Sequence, residues 1–456
     1  MLLPPDLRDW LPEDHLVHFI VEAIELLGVE SYHLNHRGSG SEQYPPAMMQ
    51  ALLVYCYATG RCGSRTIEDA THIDVAVRYI CANTHPDHDT ICAFRRNNGK
   101  AFRETFVKVL ELACEQKCMS RVGIISIDGT KIQANASKHS AVSYGRAGEL
   151  IEQLRLEVDA LMKEAEKADA EEESTVKLPD EIRRREDRIA RLKEAREVIR
   201  ERHEEERKEK QAEYEAKVAK REAQRDAGKK PRGREPVPPS EEPDRKKQYN
   251  FTDPESRIMK AGNKGHFEQS WNAQAAVDAD GSQLILGNRL TNAPNDKNEL
   301  VPTVNEVENS PREVGDVLAD NGYYNGPEIE KLERTDGVQT YVAVEKTLHG
   351  VKLDELLGKL PSEAEPPAEA DTAVKMRHRM RSAEGRQKYR LRKHTVEPVF
   401  GIIKSVMGFR QFHLRGHPKV SLEWDLVCLA YNMKRLFKLN DSRALPEIGW
   451  QVACGG

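Results

Sequence analysis

Apolar positions recur every three or four residues through the first part of the chain, and each recurrence predicts a helix. The run His15-Leu16-Val17-His18-Phe19-Ile20-Val21-Glu22-Ala23-Ile24-Glu25-Leu26-Leu27 has that spacing, with Asp14 placed to cap it. Pro45 and Pro46 stand just ahead of Ala47 to Tyr55, where the missing proline N–H costs nothing because a first helical turn offers it no acceptor. Ser64 to Ala70 and Asp89 to Arg96 open two further helices, and Phe102, Phe106, Val109, Leu110 and Ala113 form the stripe of a last one. The period then changes. Ile124-Ile125-Ser126-Ile127 is a short β-prone run that enters Asp128 and then Gly129, so it predicts a buried strand carrying one carboxylate to the point where the chain turns.

Between about 140 and 250 the composition shifts to Glu, Lys, Arg and Ala. Leu150, Leu154, Val158 and Leu161 repeat at helical spacing, and Ile182, Ile189, Leu192 and Ile199 do so after the break at Leu178-Pro179, which predicts two helices folded back as a hairpin. Beyond Arg200 the stripe fades, and Pro231 to Pro243, with Gly228 and Gly233, predicts a flexible linker. Such an insertion is either an arm for dimerisation or DNA contact, or a solvated hairpin whose charges keep it soluble. Extended pattern resumes at Ser270 to Val277 and, past Asp278-Ala279-Asp280-Gly281, at Gln283 to Leu290; with the first strand these predict an antiparallel meander. Asp296 to Val307 predicts a helix, Glu313 to Ala319 a strand, Pro327 to Leu332 a helix and Gln339 to Val344 a last strand. The fold class is α/β: a mixed sheet with flanking helices, interrupted after its first strand by the charged hairpin and preceded by an all-helical region. Near the end, Leu426, Val427, Leu429, Ala430, Met433, Leu436 and Phe437 predict a helix that packs against the sheet.

At 456 residues the chain is long enough for two or three domains. The expected division is a helical domain over 1–120, a catalytic domain from 121–140 and 251–440, the hairpin and linker over 141–250, and a tail over 441–456. A net charge of -5 argues against a uniformly basic coat, although it hides local asymmetry. The irregular cysteines and the lack of a charged-then-apolar leader point to a reducing, cytoplasmic setting. No apolar run approaches the roughly 20 residues that cross a bilayer. Cys81, His85, His88 and Cys92 have zinc-ligand identities but not the spacing of a zinc knuckle, so they are expected to be core and loop residues. Arg95, Arg96, Lys100 and Arg103 make the helical region either a DNA-holding bundle or a plain bundle with a solvated face.

Asp128 needs company, because desolvating a charge without a partner costs several kcal/mol. Val317-Leu318-Ala319-Asp320-Asn321-Gly322-Tyr323-Tyr324 repeats its grammar of a short apolar strand ending in aspartate, and Glu397 lies in a helical stretch rich in basic residues. Asp128 after a first strand, Asp320 after a fourth and Glu397 followed by Lys404 resemble, in that order, the DDE transposases of bacterial insertion sequences. Pro86-Asp87-His88-Asp89-Thr90 and Leu429-Ala430-Tyr431-Asn432-Met433-Lys434-Arg435-Leu436 are similar to the same group, so the resemblance covers most of the chain. In many members the glutamate helix follows a tyrosine, arginine, glutamate, lysine pattern. Here Glu397 and Lys404 keep the spacing, the two earlier places hold Arg390 and Lys393, and Tyr389 lies one position off.

Breaking a DNA phosphodiester requires charge to be neutralised on the attacking and leaving oxygens, which two hard cations about 4 Å apart can do. Magnesium favours carboxylate oxygens and retained water, whereas histidine and thiolate clusters suit zinc. The resemblance implies an RNase H-like core, Asp128, Asp320 and Glu397 as catalytic residues and metal ligands, with Asp128 bridging, and Mg²⁺ as cofactor with Mn²⁺ able to substitute. It also implies DNA as partner, both transposon ends and target, a homodimer in the active complex, and neither a membrane nor a small-molecule substrate. Arg390, Lys393, Lys404, Arg410 and Arg415 are the candidate phosphate contacts. The implied activity is metal-dependent strand cleavage and strand transfer at insertion-sequence ends. The rivals are a metal-dependent nuclease without strand transfer and a non-catalytic DNA-binding protein derived from a transposase.

Overall fold

The computed structural model describes residues 6–34, 43–170, 178–226, 228, 234–261, 265–311, 313–344, 366–367 and 370–441. The expected tail therefore lies outside the described residues, apart from its first position. The chain forms two compact units, one from Met1–Asn135 with Met259–Gly456 and one from Ala136–Ile258.

The first unit opens with helices α1 (Leu16–Leu27), α2 (Pro46–Ala58), α3 (Ser64–Ile73), α4 (Val75–Ile80), α5 (His88–Asn97) and α6 (Gly99–Glu115). The cap of α1 is His15 rather than Asp14: its Nδ1 accepts the Val17 N–H at 3.2 Å. Asp87 caps α5 by accepting from Thr90 N, which starts that helix one residue earlier than its sequence suggests. Then come strand β1 (Val122–Gln133), the second unit, and strands β4 (Arg257–Ala261), β5 (His266–Asp278) and β6 (Ile285–Thr291). Helix α9 (Leu300–Asn305), strand β7 (Glu313–Ala319), helix α10 (Gly326–Asp336) and strand β8 (Gln339–Val342) follow. Helices α11 (Thr372–Arg381), α12 (Ala383–Leu391), α13 (Val396–Gly401) and α14 (His417–Asp441) complete the unit.

The sheet runs β4-β5-β1-β7-β8, with β6 also paired to β5. β1 is antiparallel to β5 and parallel to β7, and β7 is parallel to β8, so the sheet is mixed and its central strand carries both kinds of neighbour. Helix α14 is the hydrophobic spine. Val420, Trp424, Leu426, Val427, Cys428, Leu429, Ala430, Met433 and Leu436 are all buried, and the Trp424 indole donates to the Gln274 carbonyl of β5. The same helix holds the first helices through Phe19 packed at a tilt on Phe437, Tyr57 donating to Glu423 and Lys434 donating to the Ala58 carbonyl. This shared spine is why no compact-unit boundary falls at residue 120, where the charge and period of the sequence change.

The second unit contains β2 (Ala141–Ser143) paired to β3 (Gln248–Asn250), and helices α7 (Tyr144–Ala170) and α8 (Leu178–Asp226). Val142, Ala147, Ile151, Leu154, Val158, Ile189, Leu192 and Ala195 make its own apolar cluster. No described residue of α8 beyond Ile199 is buried, as the fading stripe foretells. Its root is closed by Tyr144 N donating to Lys247 O at 2.8 Å and Gly145 N donating to Arg245 O at 3.1 Å. Among the described residues no helix is long and apolar enough to cross a membrane.

Because Arg146 and Asp244 sit at that closed root, replacing Ala147 to Pro243 with a short linker should cost little loop entropy and leave the remaining chain cooperatively folded. Calorimetry of the excised protein checks this; loss of a cooperative transition would show that the first unit needs the hairpin.

Candidate functional site

Ser126 of β1 stands opposite Leu318 of β7 in parallel register, so two residues further on Asp128 and Asp320 come level. Asp320 follows the end of β7, but β1 runs on through Asp128 to Gln133 on its β5 side, so the chain does not turn at Asp128 as expected. Each carboxylate is held by the backbone beside it. Asp128 Oδ1 accepts Gly129 N and Asp320 Oδ1 accepts Gly322 N, both at 2.8 Å. Gly129 is required: a Cβ there would lie 2.3 Å from Gln274 Nε2 and 2.9 Å from Asp296 Oδ1, so β1 presses on its neighbours beside the acid. Burial, and next the Asp320 charge, push the Asp128 carboxyl up to about 7, against the opposing pull of Arg392.

Arg392 is the cation at this place. Its Nη1 lies 3.5 Å from Asp128 Oδ2 and its Nη2 3.8 Å from Glu397 Oε1, its side chain is only 13% exposed, and its guanidinium stands 5.8 Å from the Tyr389 ring. Arg390 and Lys393, which the pattern places in the two earlier positions, are exposed instead. The 3-10 turn Arg392–His394 between α12 and α13 selects Arg392 from among three nearby cations. Sequence reading counted Arg392 only as one charge in a basic run; its spacing of three from Tyr389 was the available signal.

Glu397 sits in the first turn of α13 and is 57% exposed. The three acids are therefore arranged as a pair, Asp128 and Asp320, and a third whose contact with Asp128 runs through Arg392. Lys404 does not follow Glu397 on a regular α-helix, because Ile402–Val406 is a wider π turn. Its amine donates to Thr130 Oγ1 and to the Lys131 carbonyl at 2.9 Å, docking that turn on β1 just past Asp128. Arg410 and Arg415 are exposed, each donating through Nε to a carbonyl, of Lys404 and Asn135 respectively. Asp296 was read only as the start of a helix; it lies in the turn ahead of α9 and bonds Asn272, Gln274 and Lys131.

Two members of the expected basic cluster are structural. Arg95 is 2% exposed and donates to Tyr57 Oη and the Cys62 carbonyl, and Arg103 pairs with the buried Asp425 at 2.9 Å. Their partners lie on α2 and α14, beyond the reach of local pattern. Cys81 is buried, His85 stacks on His72 and His88 pairs with Glu68, so those residues serve packing as expected.

The donor chemistry of Asp128 and Asp320 suits a hard cation, since two like charges held level raise the affinity for a positive one. Among the described residues, however, no group of three such side chains could hold a metal ion, and Glu397 does not join the pair in this conformation. A model described as a transposase domain (DUF772) matches residues 5–97, and one described as a transposase DDE domain matches residues 365–437. The two matches together support a DDE transposase of the insertion-sequence type. The second match contains Glu397, Arg392 and Lys404 but neither Asp128 nor Asp320. Neither a curated protein nor a solved structure matches the chain. The transposase family implies DNA as the partner.

The raised Asp128 carboxyl fixes a pH dependence for the metal-free transposase. From about pH 4 to about 7 the folded chain keeps a proton that the unfolded chain has released, so stability falls as pH rises through that window and the loss is complete above about 7. Asp128→Asn removes the cost. Its unfolding midpoint should exceed wild type by several degrees at pH 8, with the gap closing toward pH 4; equal midpoints at pH 8 would contradict the burial and repulsion described.

Proposed function

We propose that this transposase cleaves DNA at insertion-sequence ends and joins the freed 3'-hydroxyl to target DNA, on an RNase H-like core with Asp128, Asp320 and Glu397 as its acids. The observation that supports this reading is the β1–β7 register, which brings two carboxylates level on neighbouring inner strands of a mixed sheet. Magnesium held by Asp128 and Asp320, with manganese able to replace it, would neutralise charge on the attacking and leaving oxygens of the phosphodiester. Glu397 would complete the set from α13 once Arg392 no longer bridges it to Asp128. Meanwhile Arg392 offsets part of the repulsion that burial and Asp320 impose on Asp128.

DNA phosphates would be positioned by the exposed Arg390, Lys393, Arg410 and Arg415. Lys404 contributes through its third N–H, since β1 takes the other two. Such contacts set affinity and salt dependence without carrying sequence information.

End-DNA cleavage in Mg²⁺ tests the reading, with the joined product scored separately. Asp128→Asn should lower the single-turnover cleavage rate about a thousandfold, the several kcal/mol of charge stabilisation that a bound cation supplies, with end-DNA affinity nearly unchanged. Cleavage at the wild-type rate would refute the role of the acids, and cleavage without any joined product would favour a nuclease. Arg410→Ala and Arg415→Ala should each flatten the salt dependence of binding by about one phosphate contact while sparing cleavage at saturating DNA. Unchanged salt slopes would remove these two residues from the DNA path.

A further inference from the structure

We infer that Asp296 is a positioning residue that ties the end of β1 to the turn carrying Asp320, and so sets how the two acids face each other. This rests on the proposed reading of Asp128 and Asp320. The Asp296 Oδ1 atom takes three donors: Asn272 Nδ2 at 2.7 Å, Gln274 Nε2 at 2.8 Å and Lys131 Nζ at 3.4 Å. Gln274 then accepts, through Oε1, the hydroxyl of Tyr323. Lys131 lies three residues past Asp128 and Tyr323 three residues past Asp320, so one carboxylate links both acid-bearing segments through side chains of β5, the neighbour of β1 on the side away from β7.

The network has little freedom. Asn272, Gln274 and Tyr323 are all 0% exposed, and the space above Gly129 is filled by Gln274, Asp296 and Asn272. Nor is the carboxylate spent on the following helix: the N-cap of α9 is Glu299, with no side-chain cap. Removing it would leave the buried Gln274 amide without this acceptor and Asn272 with only the Ala293 carbonyl at 3.1 Å, and buried donors in that state recover partners by moving. The movement would be passed to Tyr323 on one side and to Gly129 on the other. Displacements of about 1 Å in catalytic groups cost about a hundredfold in rate, so a residue that touches neither substrate nor reacting atoms can still govern cleavage.

Hydrogen exchange in metal-free protein, followed over Ser126–Ile132 and Ala319–Tyr324, reads this positioning without activity, and single-turnover cleavage at saturating DNA reads its consequence. Asp296→Ala should speed exchange in both segments and slow cleavage about a hundredfold, with end-DNA affinity held within about threefold. Asp296→Asn keeps an acceptor oxygen for Gln274 and Asn272, and should restore near wild-type exchange and cleavage within about tenfold. Tyr323→Phe cuts the network at its far end without touching an acid, and should speed exchange over Ala319–Tyr324 even where the alanine variant fails to fold. Wild-type exchange in Asp296→Ala, or in Tyr323→Phe, overturns the proposal. So does an Asp296→Asn protein as impaired as the alanine variant while exchanging like wild type, because the carboxylate would then act on the reacting groups directly. Asp128→Asn is measured in parallel. If it cleaves normally, the acid-pair reading fails, whereas the exchange data still decide whether Asp296 holds the two segments.

Discussion

Two aspartates held level on adjacent parallel strands, one within β1 and one just past β7, repel each other, and the arrangement around them answers that repulsion. The sheet leaves them no escape, because β1 is gripped on one side by the antiparallel β5 and on the other by β7, whose register fixes the pair. Burial makes the repulsion matter: a charge that would be screened in water instead moves the Asp128 carboxyl up to about 7. Arg392 relieves it in part from the α12–α13 turn, and Asp296 with Gln274 and Tyr323 braces the strands from beneath. The proposed role of the pair in DNA strand chemistry draws on this repulsion, which a bound cation would relieve.

The acids are supported by a unit that spans both ends of the chain. Helix α14 carries Glu423, 0% exposed, which accepts from Tyr57 of α2 and from the backbone of His413 and Leu414, with the buried Arg95 of α5 only 3.6 Å away. Buried charges of this kind add little net stability when paired, but deleting one partner strands the other at a cost of about 3–5 kcal/mol, so they enforce one arrangement. The two stretches that match transposase models thus lie in one compact unit with the sheet. Arg410 and Arg415 are exposed on the surface of this unit, on the segment between the π turn and α14.

Residues whose role is set by local pattern could be read from sequence, and those set by distant partners could not. β1 and β7 announce themselves as short apolar runs leading into aspartate and glycine; Asp320 does follow the end of β7, whereas β1 continues through Asp128 and Gly129 to Gln133 because β5 goes on pairing with it. The hairpin was equally clear, because its stripe persists to Ile199 and then stops. Short strands such as β2 and β3 carry too few positions for a period to register. Asp296 looked like the ordinary first residue of a helix, since nothing local shows that Asn272, Gln274 and Lys131 converge on it. Arg390, Arg392 and Lys393 are indistinguishable as charges in a basic run, and only the 3-10 turn decides which faces the acids. Arg95 and Arg103 could be read either as DNA contacts or as a solvated face for the same reason, their acidic partners lying on a helix more than three hundred residues downstream.

The most direct measurement is anomalous diffraction from crystals of the wild-type transposase soaked in Mn²⁺, compared with Asp128→Asn. The acid pair predicts a manganese peak about 2.2 Å from carboxylate oxygens of both Asp128 and Asp320 in the wild type, and its loss in the variant. A saturating soak that leaves the pair without a peak while Arg392 remains on Asp128, or a peak that survives in Asp128→Asn, would contradict the assignment of these acids as the cation site.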